Sequence, residues 1–346
     1  MFSSGIFSSL PVTLGIFLVS LFIVIAASTR FTRKLEELCE ALQLSIGLLS
    51  LLSALGANIP NYVSSSIAII SGHIDVGIGI IVGSNIYNVA IILGLCALLT
   101  PERAGITLDV PEKQDVRVIA LYTLAIALLS FLLIACLPGG PFVTTFHLSN
   151  SSRVLLPLTS LVDLGVFGAL LIHTLRRSRG SAGTTLHHHA YPQRKAPLSV
   201  LRIVGEIIFT LAIALGGVLV MVQAGQTLTS DLHMPSILAG LLVLAVATSL
   251  PNTVVAISLV RSGEAAASVE EVYSSNSINT ALGIVLPLLF WRGILGDRFL
   301  LLLDAPLTLA LISVVFFNVL RGRISRSVGV ILLAAYVVWV LLRFWI

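Results

Sequence analysis

The chain has 346 residues, of which 57% are hydrophobic and only 10% charged, with a mean hydropathy of +1.05 and a formal net charge of +4. Soluble domains carry about 25% charged residues, so these proportions exclude a water-soluble globular protein and point to a polytopic membrane protein. The basic residues lie in short segments between apolar runs, which excludes a nucleic-acid-binding surface.

A helical span needs about 20 apolar residues. The sequence predicts ten, at 9–29, 42–71, 76–99, 116–137, 154–175, 201–222, 235–260, 265–290, 299–320 and 327–345. The N-terminus has no basic leader of the signal-peptide kind, since the first basic residue is Arg30. Phe31 to Gln43 reads as a short amphipathic lead-in to the second span, with Lys34, Glu36 and Glu37 in water. The central stretch holds Arg176, Arg177, Arg179, Arg194 and Lys195 and divides the spans five and five. The fold class predicted is all-α, with a first five-helix repeat at 1–176, a cytoplasmic linker at 177–199 and a second repeat at 200–346. An odd number of spans per half makes the second half enter the membrane from the opposite side, so the repeats are inverted. Sixteen of the 20 Lys and Arg residues fall in loops on one side. By the positive-inside rule both termini are outside, the central loop is cytoplasmic, and the location is the plasma (inner) membrane.

Cys39, Cys96 and Cys136 have no metal or redox spacing and read as packing residues. The run His187-His188-His189 reads as part of a solvated loop, because no nearby acid or cysteine completes a metal site.

One pattern is written twice. Gly56-Ala57-Asn58-Ile59-Pro60-Asn61 precedes Gly83-Ser84-Asn85-Ile86-Tyr87-Asn88, and Ala247-Thr248-Ser249-Leu250-Pro251-Asn252 precedes Ser274-Ser275-Asn276-Ser277-Ile278-Asn279. Asn61 and Asn252 stand 191 positions apart, as do Asn88 and Asn279. Polar, proline-broken segments at matching places in two halves are the best sequence pointer to a transport site. Proline has no N–H and crowds the carbonyl four residues back. Pro60 therefore frees the carbonyl of Gly56, and Pro251 that of Ala247. A free carbonyl in hydrocarbon must be buried in protein or face a hydrated cavity, and a cation is its natural partner. Asn61 and Asn252 add side-chain oxygens. Ser84 and Asn88 share one helix face, as do Ser275 and Asn279. Spans two, three, seven and eight are thus expected to bring Asn61, Asn88, Asn252 and Asn279 to one central point, with Ser84, Ser249 and Ser275 beside them. Gly79, Gly83 and Gly94 are assigned to close helix packing.

These motifs resemble those of the sodium/calcium exchanger superfamily of cation/Ca2+ antiporters, whose repeats read Gly-Thr-Ser-x-Pro-Glu and then Gly-Ser-Asn-x-x-Asn or Gly-Ser-Asn-x-x-Asp. Ala247-Thr248-Ser249-Leu250-Pro251 and Gly83-Ser84-Asn85-Ile86-Tyr87-Asn88 match closely, and Ser71-Gly72-His73-Ile74-Asp75 is similar to the family's link within the first repeat. The resemblance implies ten spans in two inverted fives. It also implies Ca2+ extrusion driven by Na+ or H+ entry, with spans one and six sliding over a static core. The departures are as specific. The family's two essential glutamates fall on Asn61 and Asn252, its frequent aspartate on Asn279, and the first Thr-Ser pair on Ala57-Asn58. Ca2+ affinity follows the count of charged oxygen ligands. An amide site is therefore expected to hold Na+ better than Ca2+, and Asn does not titrate to carry a proton.

Several acids are candidates for the missing charge. Glu270 and Glu271 stand where the family has Gly-Asn. Glu271 either lines the path with Ser275, four residues on, or turns to water beside Arg261; the spacing leaves both open. Asp75 either draws cations to the outer mouth or is a plain loop acid. Glu206 is expected at the cytoplasmic mouth near Arg202, and Asp163 has no partner visible in sequence. The expected partners are small inorganic cations and the lipid bilayer. No cofactor and no nucleic acid are expected, and the oligomeric state is left open. The alternative is an exchanger-like scaffold that does not transport and serves as a sensor or partner subunit. Catalytic spacings of intramembrane enzymes are absent from the sequence.

Overall fold

Inside a bilayer every backbone N–H and C=O must be satisfied within its own segment, and a helix does this. The computed structural model describes residues 9–41, 54–137, 152–180, 197–232, 236–291 and 293–346. They form helices α1 (Leu10–Ala41), α2 (Ile59–Ile70), α3 (Ile74–Leu99), α4 (Val110–Ala135), α5 (Ser152–Gly180) and α6 (Pro197–Asp231). The chain continues with α7 (Ala239–Arg261), α8 (Ala265–Thr280, prolonged by Ala281–Val285 and Leu286–Phe290), α9 (Leu300–Leu320) and α10 (Arg326–Trp345). Two short strands, β1 (Ile106–Thr107) and β2 (Arg323–Ile324), pair antiparallel with Ile106 opposite Ile324. They tie the loop after α3 to the loop after α9.

Eight of these helices are long and apolar enough to cross a membrane. The other two are α2 and α8. The described part of α2 has 12 residues, and residues 42–53 of the predicted second span lie outside the described residues. α8 carries Glu270, Glu271, Ser274, Ser275, Asn276, Ser277 and Asn279, which lower its apolarity; most of these are buried against other helices.

The predicted lead-in after residue 29 is not a separate element, because α1 runs unbroken to Ala41. Lys34 is not simply in water either. Its ammonium lies 2.9 Å from Glu37 and 2.9 Å from Glu206 of α6. Arg202 lies 3.2 Å from the other oxygen of Glu206. α1 and α6 pack antiparallel along their length, with Gly217 against Val24 and Gly225 against Phe17 and Leu244. The His187-His188-His189 run and the Cys39 side chain lie outside the described residues, while Cys96 and Cys136 are free and buried.

α3 is the hub, buried over nearly its full length, whereas α6 and α10 are largely turned outward. Glycines bring α3 and α7 together. A Cβ on Gly79 would lie 3.0 Å from the carbonyl oxygen of Ile237, and one on Gly83 would collide with the carbonyl of Leu241. From the other side Gly240 lies against the backbone of Val76 and Ile80. Small residues at such crossings let backbones approach where no hydrophobic force drives helices together.

The repeat is visible in the backbone. α2 ends in a turn in which the N–H of His73 bonds the carbonyl of Ala68 at 2.9 Å and that of Gly72 bonds Ile69 at 3.0 Å. α7 ends in the same turn, from Glu264 to Leu259 at 2.9 Å and from Gly263 to Val260 at 3.1 Å. Gly72 and Gly263, with φ of +88° and +85°, take the left-handed position that this cap requires. They too are 191 positions apart.

Candidate functional site

The two proline motifs fold differently. In the first, the chain breaks at Asn58, and Pro60 sits in the first turn of the new helix α2, where its missing N–H is tolerated. The carbonyl of Asn58 accepts from the N–H groups of Asn61 (3.0 Å) and Tyr62 (3.2 Å). In the second, Pro251 lies inside a continuous α7, so the expected matching break is absent there. Proline still leaves the carbonyl of Ala247 without its helical donor. Each copy is followed by a π-helical turn one helix later, at Asn88–Ile92 and at Ala281–Val285. Such turns widen the helix locally and are frequent at functional sites.

Where α2, α3, α7 and α8 meet, polar side chains form hydrogen-bonded chains in an otherwise apolar interior. Ser84 donates to the Asn61 side-chain oxygen at 3.0 Å, and its hydroxyl lies 2.6 Å from that of Ser249. Asn252 donates to Asn58 at 2.8 Å, Asn58 donates to the Ser275 hydroxyl at 2.9 Å, and Ser275 donates to Glu271 at 2.7 Å. Further along, Asn88 donates to Asn276 at 2.9 Å, Asn276 donates to the backbone carbonyl of Asn85 at 3.2 Å, and Asn85 donates to Thr280 at 2.8 Å. Asn58, Asn61, Ser84, Asn88, Ser249, Asn252, Ser275 and Asn279 are each fully buried, and the backbones of Gly56 and Ala247 are buried beside them. The contact between Ser84 and Ser249 and that between Ser275 and Asn58 are one contact repeated, because each residue is 191 positions from its counterpart.

Ser84 and Ser275 each bond into the cluster, but the four asparagines do not bond to one another at a single point. Asn61 belongs to one chain and Asn252 to the other. Asn88 is reached through Asn276, and Asn279 has no partner among the described residues for either amide atom. Sequence reasoning gave Asn58 no role beyond its place in the motif, yet it joins Asn252 to Ser275. Asn85, Asn276 and Thr280 were part of the quoted motif or next to it, and the structure shows them closing the crossing of α3 and α8.

Unpartnered atoms set the chemistry of the site. Among the described residues, buried side-chain oxygens of Asn85, Asn88, Asn252, Asn279 and Glu271 have no hydrogen-bond donor, against two unpartnered amide nitrogens in the cluster, those of Asn61 and Asn279. A buried polar group without a partner costs about 1–3 kcal/mol. The surplus of acceptors suits a cation. Among the described residues no three His, Cys, Asp or Glu side chains gather into a metal cluster, so the oxygens on offer are amides, hydroxyls and the Glu271 carboxylate.

The other acids stand apart. Asp75 does not reach this cluster; it accepts from the backbone N–H of Gly296 at 3.0 Å and holds the loop before α9. Glu206 is tied to Lys34 and Arg202, as its spacing from Arg202 predicted. Asp163, on α5, is fully buried with neither carboxylate oxygen bonded. A fourth group escaped the sequence reading. Arg343, near the end of α10, lies 2.5 Å from Asp297 and 3.4 Å from Asp304, and Trp339 donates to Asp304 at 2.7 Å. The available signal was an acid near the start of the ninth span and a base near the end of the tenth, which antiparallel neighbours bring to the same level.

Comparison with known proteins agrees with this geometry. Residues 12–176 and 202–345 match the family described as sodium/calcium exchanger protein. Over 343 residues the chain is 26% identical to the inner membrane protein YrbG of Escherichia coli strain K12, covering 96% of this chain and 97% of that one. It is 24% identical to the putative antiporter CaxA of Alkalimonas amylolytica, over 92% of this chain and 95% of the relative. A solved structure of the sodium-calcium exchanger NCX_Mj, soaked with 10 mM Na+ and zero Ca2+, superposes with a TM-score of 0.62 at 18% identity, covering 96% of this chain and 99% of that chain. That last likeness is one of fold.

Proposed function

This chain belongs to the sodium/calcium exchanger family, and from that premise we propose that it is a secondary antiporter moving Na+ through the cluster at the crossing of α2, α3, α7 and α8. The ion ligands in this reading are Asn61, Ser84, Asn88, Ser249, Asn252, Ser275 and Asn279, helped by the carbonyls of Gly56 and Ala247. Asn61 and Asn252 stand where the family motif has glutamate. With neutral amides there, the loss of Ca2+ hydration is not offset by opposite charge, and Ca2+ is held weakly. Counting α2 and α8 as spans gives ten helices in two inverted fives, 1–176 and 200–346, joined by 177–199. The excess of Lys and Arg in one set of loops then puts both termini outside and the linker in the cytoplasm of a cell bounded by this plasma membrane. α1 and α6, packed on each other outside the buried hub, are the pair suited to slide as a gate.

The observation that carries the reading is the set of buried, unpartnered side-chain oxygens between the two symmetry-related helix pairs. The experiment is cation flux in sealed vesicles holding the purified chain. Gradient-driven Na+ movement above that of empty vesicles is expected. Absence of Na+, K+ and Ca2+ movement in both directions overturns the proposal.

One observation favours a second reading, a scaffold that senses or assembles without transport. The bonds from Asn252 to Asn58, Asn58 to Ser275 and Asn88 to Asn276 join the two halves directly, side chain to side chain. Under that reading Asn61→Glu with Asn252→Glu gains Ca2+ binding but no flux.

A further inference from the structure

The two halves of the cluster are not electrically equal. Asn61 and Asn252 match across the repeat, as do Ser84 and Ser275, and both halves are neutral at those places. Glu271 breaks the match. Its counterpart, 191 positions earlier, is Ile80, which is fully buried and aliphatic. Glu271 is not turned out to water. One carboxylate oxygen accepts from the Ser275 hydroxyl at 2.7 Å, and the other is buried with no donor among the described residues. Through Ser275 and Asn58 the carboxylate is linked to Asn252, whose own side-chain oxygen also lacks a partner. Glu271, Ser275 and Asn279 follow one another at four-residue spacing along one face of α8. Glu270 points roughly 100° away around the helix, off that face.

A single negative charge in a buried site fixes the charge that it neutralises. One monovalent cation leaves the site neutral. One divalent cation leaves a full positive charge buried, which low-dielectric surroundings strongly disfavour. We propose that Glu271 is the charge-bearing group of this transporter, that with Ser275 it holds one monovalent cation on the path past Asn252 and Asn279, and that the path is thereby selective for single over double charge. The inference rests on the reading of the cluster as a cation path and adds to it the residue, the half of the molecule and the valence.

The test is equilibrium binding of radiolabelled Na+ to the purified full-length chain, with choline, K+ and Ca2+ as competitors. Expected is saturable Na+ binding that choline does not displace and that Ca2+ displaces no better than Na+ itself. Glu271→Gln, which keeps size and removes charge, is expected to weaken Na+ binding roughly ten- to a hundredfold. Glu271→Asp keeps the charge on a shorter stem and is expected to lose less than Glu271→Gln. Na+ binding by Glu271→Gln equal to that of the parent overturns the role of Glu271 while leaving the cation path standing. Tighter binding of Ca2+ than of Na+ by the parent overturns the valence, and needs no variant to be seen. Failure of the parent to bind any cation removes both this inference and the reading beneath it. Should Glu271→Gln not fold, Glu271→Asp and the competition experiment still decide the matter.

Discussion

The Ser84 hydroxyl lies 2.6 Å from that of Ser249 and donates at 3.0 Å to Asn61, so one hydroxyl on the most buried helix joins α2 to α7. Ser84→Ala leaves the Asn61 oxygen and the Ser249 hydroxyl without this partner in a dry interior. The expected loss is about 1–3 kcal/mol of stability, together with weaker Na+ binding. Thermal unfolding in detergent and a binding isotherm on the same preparation check the two effects.

Replacing both Asn61 and Asn252 by Glu adds two carboxylates at symmetry-related places. Ca2+ affinity follows ligand charge, and a gain of at least about tenfold is expected, read as Ca2+ displacement of labelled Na+. Flux of Ca2+ by the double variant speaks for a working transporter whose ion preference was retuned. Tight binding with no flux speaks for a scaffold with a closed gate.

Gly83→Ala tests the approach of α3 to α7. The added Cβ meets the backbone carbonyl of Leu241, which no change of rotamer can move aside. Destabilisation of about 1–3 kcal/mol is expected, and Leu241→Ala is not expected to relieve it because the obstruction is main chain. Gly216→Ala, on the outer part of α6 where an added Cβ meets nothing within 4 Å, is the control and should be neutral.

Arg343 is almost fully buried between Asp297 and Asp304. Arg343→Met leaves two carboxylates without their counter-charge and is expected to lower stability by about 3–5 kcal/mol. Adding Asp304→Asn removes one of those charges while retaining an acceptor for Trp339, and partial recovery of the unfolding temperature is expected. A double variant no more stable than Arg343→Met alone would argue against charge as the cause.

Lys34 and Glu206 join α1 to α6 at one end. Each single charge reversal is expected to change transport rate more than folding, because the pair is partly exposed and such pairs contribute little to stability. The swap Lys34→Glu with Glu206→Lys should bring the rate back toward that of the parent. Flux at low and high ionic strength, where screening weakens the pair, gives an independent reading.

The repeat was legible in sequence because repetition leaves a fixed offset in the numbering. Residues that supply backbone and side-chain chemistry at both ends of that offset, Pro60 with Pro251 and Ser84 with Ser275, could be matched by inspection. Helix α2 to α3 and helix α7 to α8 pairing followed from that match. The role of Asn58 was not legible, since its side chain bonds residues 194 and 217 positions away and nothing local marks it. Pro251 misled in the other direction: proline forbids one hydrogen bond, but neighbouring helices hold α7 together through the gap, whereas at Pro60 the chain restarts. The extension of α1 to Ala41 was hidden because Lys34, in its charged end, is paired with Glu206 of α6, a contact that local sequence does not mark. Among the described residues eight helices are long and apolar enough to span a membrane, and α8 falls outside that set because it carries polar residues that pack against other helices.

On the proposed cation path, the exchange of Ile80 for Glu271 makes the two ends of the path unlike. β1 lies beside α8 at the end of the bundle that also gathers Arg103, Arg321, Arg323 and Arg326, and Glu271 is only six residues past the start of α8 at Ala265. On that path an ion arriving from that end is expected to meet the carboxylate before the amides, and one arriving from the opposite end to meet no charge at the matching depth. Forward and reverse half-cycles of such a transporter begin from unlike encounters, and vesicles loaded from opposite faces should saturate at different concentrations.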